Sequence, residues 1–121
     1  MAEDRVKRGE VWTVTFHPRS GSEQAGTRPA VILSNDGFNL APGWGSIIVI
    51  PISSSGNQKR RPDTAISLPS GTGGLSRDSF ALCHQITTVD RSKFTQRLGS
   101  LDSSVLTEIE EGVKAALDFP L

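Results

Sequence analysis

The stretch "GSEQAGTRPAVILSND", residues 21–36, joins a glycine-bounded polar loop to an unbroken apolar segment. The apolar part, "PAVILS", is typical of a strand that is covered on both faces. Proline disfavours the α conformation in the residue before it, so we expect Arg28 to lie extended at the first position of this strand. The sequence therefore predicts a fixed guanidinium at the point where a loop meets a sheet.

Further strand-like segments lie on either side of this stretch. "EVWTVTF" (10–16) alternates apolar and polar residues as a half-buried strand does, and "SIIVIPI" (46–52) is a second continuous apolar run. Pro51 cannot donate a ladder hydrogen bond, so we expect that strand to end there or to lie at a sheet edge. "TAISL" (64–68) and "DSFALCHQITTV" (78–89) predict two more strands. The segments "HPRSGSEQAGT" and "SSSGNQKRRPD" predict long polar loops.

The C-terminal segment "LDSSVLTEIEEGVKAALDF" predicts an amphipathic helix. Its apolar side chains fall on one stripe at helical spacing: Val105, Leu106, Ile109, Val113, Ala116 and Leu117. Asp102 is suited to cap the N-terminus, and Leu101 is placed to pack on Leu106 across the cap. Strands followed by one helix predict a mainly β (α+β) fold, a strongly curved sheet or partly open barrel with the helix packed on it.

The composition predicts a single domain over residues 1–121 and narrows the function classes. Thirteen basic residues balance thirteen acidic ones, so a nucleic-acid partner must be met by a local basic patch. The longest apolar run, 47–52, is too short to span a bilayer, and the charged N-terminus lacks a signal-peptide core, so we expect a cytoplasmic protein with no membrane partner. The single cysteine, Cys83, excludes an internal disulfide and a multi-cysteine metal site.

Several common chemistries are disfavoured by the residues present. His17 and His84 are far apart and lack ligand-like spacing, so ordinary hydrogen bonding is favoured over a paired-histidine nuclease. Cys83 lies in an apolar segment, where a small core residue is expected rather than a nucleophile. The glycines of "SGTGGLS" (70–76) lack the lysine of a phosphate loop. The sequence therefore predicts no metal, no cofactor and no covalent intermediate.

Two polar loops carry residues that suit a polyanion. The planar fork of Arg28 matches phosphate geometry. The second loop begins with three hydroxyls, at 53–55, and then presents three cations: Lys59, Arg60 and Arg61. Hydroxyls at a strand end can donate to phosphate oxygens, and cations can steer the polyanion in. Glu23 in the first loop adds a carboxylate that can accept a proton. A base, a cation and a hydroxyl together resemble a hydrolytic site for RNA. Judged separately, Arg28 is compatible with a solvated group at a strand end, and the cations at 59–61 with a solvated loop tip.

The sequence resembles the MazF/PemK family, the toxins of bacterial toxin–antitoxin pairs, along nearly its whole length. The matching stretches are "RGEVW" (8–12), "GSEQAGTRPAVILSND", "PISS", "DSFALCHQITTVDRSKF" and "LGSLDSSVLTEIEEGVKAAL". The resemblance implies a small SH3-like, CcdB-like β-barrel with a C-terminal helix, paired as a homodimer. It also implies a sequence-specific, metal-independent endoribonuclease that cuts single-stranded RNA, with mRNA the expected target. Such an enzyme works by 2′-hydroxyl attack, leaves 2′,3′-cyclic phosphate and 5′-hydroxyl ends, and is neutralised by a MazE-like antitoxin.

The resemblance implies roles for individual residues as well. The family's catalytic arginine falls on Arg28, its proton-transferring glutamate on Glu23 and its catalytic threonine on Ser53. Serine keeps the hydroxyl but loses the methyl group that restricts its rotamer. Because arginine stays protonated, Glu23 is assigned as the base, and the group that protonates the leaving oxygen stays open. The residues expected to contact RNA are Ser22, Gln24, Thr27, Ser54, Lys59, Arg60 and Arg61.

Two other function classes are compatible with the sequence. A non-enzymatic toxin of the same fold could inhibit a topoisomerase through protein–protein contact, since fold alone does not determine function. Such an inhibitor would not need the Arg28 and Ser53 pair. An RNA-binding barrel without cleavage would need exposed aromatic side chains to stack on bases. Only Phe38 and Trp44 are available for that role, and we expect both to pack in the core or in a dimer interface.

Overall fold

The computed structural model describes residues 5–17, 26–54 and 63–120. Within these residues the predicted fold class is confirmed, because an antiparallel sheet is followed by one long C-terminal helix. The elements are β1 (Glu10–Phe16), β2 (Gly26–Ile32), α1 (Asp36–Asn39), β3 (Ser46–Ser53), β4 (Ala65–Leu68), β5 (Ser79–Leu82), β6 (Thr87–Asp90), β7 (Phe94–Ser100) and α2 (Ser103–Leu117). The short α1 and the strand β7 are additions to the predicted elements.

The central strand of the sheet is β3. The strand order is β4-β5-β3-β2-β1-β7, and β6 also pairs with β3. Along one side β3 pairs with β2, and along its other side it pairs with β6 and then with β5. Pairing with β6 ends at Val49 and pairing with β5 begins at Ile52. Pro51 lies between these two points and pairs with Ala30 of β2. The expectation that Pro51 ends the strand or marks an edge is therefore wrong. Pro51 has no N–H to donate, and the strand tolerates it because it lies between the part of β3 that pairs with β6 and the part that pairs with β5.

The segment 78–89, predicted as one strand, is broken in the middle. After β5 the residues Cys83–Gln85 form a 3₁₀ turn, and the chain then continues as β6 along the other half of β3. This turn buries Cys83 fully. A Cβ built on Gly112 of α2 would lie only 2.7 Å from the Cys83 sulfur, so the helix approaches the thiol closely. Cys83 is thus a core residue, as its apolar segment predicts.

An apolar cluster lies on each face of the sheet. The first face is the one that carries Trp12, Val14, Ala30 and Val49, and its full cluster is Val6, Trp12, Val14, Phe16, Ala30, Ile32, Ile47, Val49 and Phe94. The second face lies beneath α2, and its cluster is Val11, Val31, Ile50, Ile52, Leu68, Leu75, Ala81, Cys83 and Ile109. Successive strand residues alternate between the faces, so the continuous apolar runs in β2 and β3 fill both.

The helix α2 packs by its predicted stripe, with two differences. Ile109 is buried, and Val105, Leu106 and Val113 pack against the second-face cluster. Leu117, however, is 45% exposed at the end of the stripe. Asp102 occupies the N-cap position, but its side chain makes no capping hydrogen bond. Of the helices in the described residues, none has the length and hydrophobicity needed to cross a bilayer.

The glycines of the 70–76 segment have a packing role. Gly74 has a φ of +80°, and a Cβ built on it would lie 2.1 Å from the carbonyl oxygen of Leu98. A Cβ on Gly99 would lie 2.7 Å from the Gly73 backbone. Only glycine allows the β4–β5 connection to contact the backbone of β7 this closely.

Candidate active site

Arg28 and Ser53 lie at the same end of the sheet on neighbouring strands. Ala30 pairs with Pro51, and continuing that antiparallel register by two residues places Arg28 level with Ser53. Residues related in this way lie on the same face, here the first face, and adjacent strands are about 5 Å apart. The structure thus brings together two of the three predicted catalytic residues, from strands β2 and β3.

The two side chains differ in exposure. Arg28 is exposed and pairs with Val14 of β1, whereas Ser53 is 6% exposed at the last position of β3. The strand β2 begins at Gly26, so Arg28 is its third residue rather than its first as predicted. Its extended conformation is confirmed. An exposed guanidinium beside a buried hydroxyl suits a ligand that lies on the sheet with one charged group turned inward.

A further residue, Phe80 of β5, joins this arrangement. Ser53 pairs with Phe80, and Phe80 pairs in turn with Ser67 of β4. The four side chains Arg28, Ser53, Phe80 and Ser67 therefore form a cross-strand row on the first face, which we call the site row. The sequence alone does not single out Phe80, because the row depends on pairing between strands that are distant in the chain.

Both polar loops adjoin this end of the sheet. The β1–β2 connection enters β2 at Gly26, and the β3–β4 connection leaves after Ser53. Several predicted residues of these loops lie outside the described residues: Ser22, Glu23, Gln24, Lys59, Arg60 and Arg61. Ser54 is described and exposed. Thr27 belongs to the second face, where its hydroxyl oxygen lies 3.3 Å from that of Thr15, so it does not share a face with Arg28.

The structure does not bring the two histidines together. His17 follows β1 and is exposed at the site end of the sheet. His84 lies in the 3₁₀ turn, with its Nδ1 3.2 Å from the hydroxyl oxygen of Thr64. His84 follows β5, and the strands β2 and β3 lie between β5 and β1 in the sheet. This geometry favours the predicted hydrogen-bonding role.

Displaced pKa values occur away from the site row. Burial raises the pKa of the Cys83 thiol to about 11. Hydrogen bonds from the side chain and backbone of Ser92 lower the pKa of Asp90. In the described parts of the chain, no three His, Cys, Asp or Glu residues are grouped so that they could hold a metal ion.

The opposite end of β3 carries an exposed apolar surface. We call it the aromatic patch, and its members are Phe38 (50% exposed), Leu40 (48%), Trp44 (42%) and Ile48 (38%). The Phe38 and Trp44 rings are 5.0 Å apart and tilted by 34°. Of the two roles expected for these aromatics, packing in the core is therefore wrong, and packing in a dimer interface stays a prediction. Exposed apolar surfaces are typical of interaction sites in other proteins.

Polar contacts hold the aromatic patch in place. Arg91 donates from Nε to the Trp44 carbonyl at 2.9 Å and from a terminal nitrogen to the Asn39 carbonyl at 2.6 Å. Asn39 is fully buried and donates to the Ser34 carbonyl at 2.7 Å. The indole nitrogen of Trp44 donates to the Ser46 carbonyl at 2.7 Å. Hydrogen bonds to backbone carbonyls therefore hold the segment that carries Phe38 and Trp44 against the sheet.

The sequence and the fold match known proteins over almost the full chain. Residues 7–117 match the family described as PemK-like, MazF-like toxin of type II toxin–antitoxin system. Endoribonuclease EndoA of Bacillus subtilis is 33% identical over 113 residues, which cover 93% of this chain and 94% of that protein. Endoribonuclease MazF9 of Mycobacterium tuberculosis is 33% identical over 117 residues, or 94% and 98% of the two chains. A solved MazE–MazF structure from Deinococcus radiodurans is similar in fold, with a TM-score of 0.71, 25% identity, and coverage of 95% and 97%.

Proposed function

The chain belongs to the PemK-like, MazF-like toxins of type II toxin–antitoxin systems and is an endoribonuclease. From this premise we propose that it cuts single-stranded RNA, chiefly mRNA, at short sequence motifs and without a metal ion. The observation that carries the proposal is the placement of Arg28 level with Ser53 on one face of the sheet. A cation and a hydroxyl at this spacing can both reach the oxygens of one phosphate.

The proposed reaction uses the substrate's own nucleophile. The RNA 2′-hydroxyl attacks the adjacent phosphorus, the bond from its oxygen to phosphorus forms, and the bond to the 5′-oxygen breaks. Glu23 takes the 2′-proton, and the 5′-oxygen leaves as a hydroxyl after gaining a proton. The products are a 2′,3′-cyclic phosphate and a 5′-hydroxyl.

Arg28 and Ser53 act on the charge that builds on the non-bridging oxygens in the transition state. Donors that are fixed in advance stabilise such charge without the cost of reorganising. The strand holds the backbone of Arg28, and the buried setting of Ser53 restricts its side chain. Lys59, Arg60 and Arg61 then attract the RNA backbone, with Ser22, Gln24 and Ser54 as further contacts.

We also propose that the toxin acts in the cytoplasm as a homodimer and is neutralised by a MazE-like antitoxin. The family description supports an antitoxin partner, and the Deinococcus relative was solved as a MazE–MazF structure. The exposed aromatic patch supports self-association, because a second copy would cover it. The alternative of a topoisomerase inhibitor has no support from the named relatives, both of which are endoribonucleases.

The proposal is tested by incubating the protein with a mixed RNA pool, with and without EDTA, and mapping new 5′-hydroxyl ends. We expect cutting at a short recurring motif in both conditions. We also expect cutting to weaken as salt rises, because the basic residues bind through phosphates. Loss of cutting in EDTA would contradict the metal-free mechanism, and ends scattered without a motif would contradict sequence specificity.

A further inference from the structure

We propose that Phe80 is the platform on which a base beside the scissile phosphate stacks. The inference rests on the proposed function and adds to it how the RNA is held at the cut. It comes from the site row, in which Phe80 pairs directly with Ser53. Phe80 lies on β5, which is one strand farther from Arg28 than the strand of Ser53 is. A nucleotide whose phosphate meets Arg28 and Ser53 would lay its base toward β5.

The cross-strand neighbours of Phe80 are polar, which suits a ring that a ligand can reach. Among the described residues, Phe80 belongs to neither apolar cluster. Its cross-strand partners are serines on both sides, Ser53 and Ser67. Cross-strand stabilisation of an aromatic side chain usually comes from another aromatic or a β-branched partner. Phe80 is instead a half-buried ring between two hydroxyls, one of which is proposed to act on the phosphate.

The position of Phe80 meets the requirements of single-stranded RNA. Proteins that bind such RNA combine cations along the backbone with aromatic rings that stack on unpaired bases. Arg28 supplies the cation and Phe80 the ring, two strand spacings or about 10 Å apart at the backbone. The aromatic patch does not serve the same nucleotide, because it lies at the other end of β3, roughly 20 Å away.

The test combines binding and turnover for three substitutions: Phe80→Ala, Phe80→Leu and Phe80→Trp. Binding is measured with a mixed-sequence 2′-O-methyl RNA, which lacks the nucleophile and is not cut. Turnover is measured as kcat and KM on one short RNA with the mapped motif. Phe119→Ala is the matched control, because Phe119 is 59% exposed and lies beyond α2, away from the site row.

We expect Phe80→Ala to weaken binding about tenfold and to lower kcat/KM at least as much, since stacking contributes strongly for each base. Phe80→Leu keeps the apolar volume but not the aromatic face, and should resemble Phe80→Ala. Phe80→Trp should restore binding, and Phe119→Ala should match the parent. Thermal melting shows whether any variant has lost its fold.

The outcomes separate this inference from the proposed function. If the parent cuts RNA but Phe80→Leu binds and cuts as the parent does, the stacking platform is wrong while the nuclease stands. If the parent cuts no RNA, the proposed function fails, and the binding series with 2′-O-methyl RNA still decides whether a base stacks on Phe80. Equal affinities across that series would overturn the inference.

Discussion

The two ends of β3 differ in what they present to solvent and in how they are supported. The end at Ser53 carries a cation, hydroxyls and a half-buried ring, and two polar loops adjoin it. The end at Ser46 carries the aromatic patch, which buried Asn39 and the guanidinium of Arg91 fasten to the sheet. A polar surface at strand ends suits a charged, flexible polymer, whereas a fixed apolar surface suits a folded partner. The proposed catalytic site and the proposed dimer interface thus lie at opposite ends of β3.

The sharpest test of this separation is Arg28→Ala. We expect cleavage to slow about a hundredfold or more, because removing one donor to transition-state charge costs roughly 3 kcal/mol. The melting temperature should change little, since Arg28 is exposed. Cleavage rates on one short RNA, with thermal melting as the folding control, measure both.

Companion variants sharpen the Arg28 result. Arg28→Lys should rescue poorly, because an ammonium lacks the guanidinium fork. Ser53→Ala should also slow cleavage, while Ser53→Thr keeps the hydroxyl and should be tolerated. An Arg28→Ala protein that melts and cuts like the parent would show that the guanidinium is only a solvated group on β2.

At the other end, Asn39→Ala should lower stability without touching the site row. The substitution removes the donor to the Ser34 carbonyl in a fully buried setting, which costs about 2 kcal/mol. Chemical denaturation measures the change. Asn35→Ala is the matched control: its side chain accepts from Gly37 at an exposed cap, so a loss of about 1 kcal/mol is expected. Equal losses for the two variants would argue against a buried fastening.

Trp44→Ala tests assembly. If the aromatic patch is the dimer interface, truncating its largest member should weaken dimerisation about tenfold or more, as at other aromatic contacts in interfaces. Sedimentation over a range of concentrations gives the dissociation constant. A parent protein that stays monomeric at micromolar concentration, or a Trp44→Ala dimer as tight as the parent, would refute this interface.

The smallest expected effect is a loss of stability at alkaline pH from Cys83, which belongs to neither end. Burial raises the pKa of the thiol to about 11 from 9.0, so between these values the unfolded chain releases a proton that the folded chain keeps. Stability from this group is full below pH 9 and is lost as the pH rises toward 11; at pH 9 the loss is a few tenths of a kcal/mol. Denaturation at pH 7 and pH 9 should show it in the parent and not in Cys83→Ala.

The sequence predicted the elements with strong patterns and missed those defined by pairing. The apolar runs of β2 and β3 and the stripe of α2 are local signals, and each lies where it was expected. β7 reads "FTQRLGS", with few apolar residues, and becomes a strand because β1 offers it an edge. Pro51 misled the prediction because its tolerance depends on where β3 changes partner, which is a property of the sheet.

The candidate site also contains residues that the sequence identifies and one that only strand pairing reveals. Arg28 and Ser53 were named from a resemblance and from their places at strand ends, and the β2–β3 register then placed them level. Phe80 lies 27 residues beyond Ser53 in the sequence, so only the pairing of β3 with β5 brings it to the row. Its segment appeared to be an ordinary apolar strand. Non-local pairing leaves no mark in a single sequence.

The pairing of β1 with β7 has a consequence for protein synthesis. β1 emerges from the ribosome before its neighbour β7, which comes from residues 94–100, and the second-face cluster is incomplete without Ile109. A nascent chain therefore lacks an edge partner for β1 and part of its core until residues 94–109 have been made. The sheet that carries the site row can therefore complete its fold only after these residues have left the ribosome.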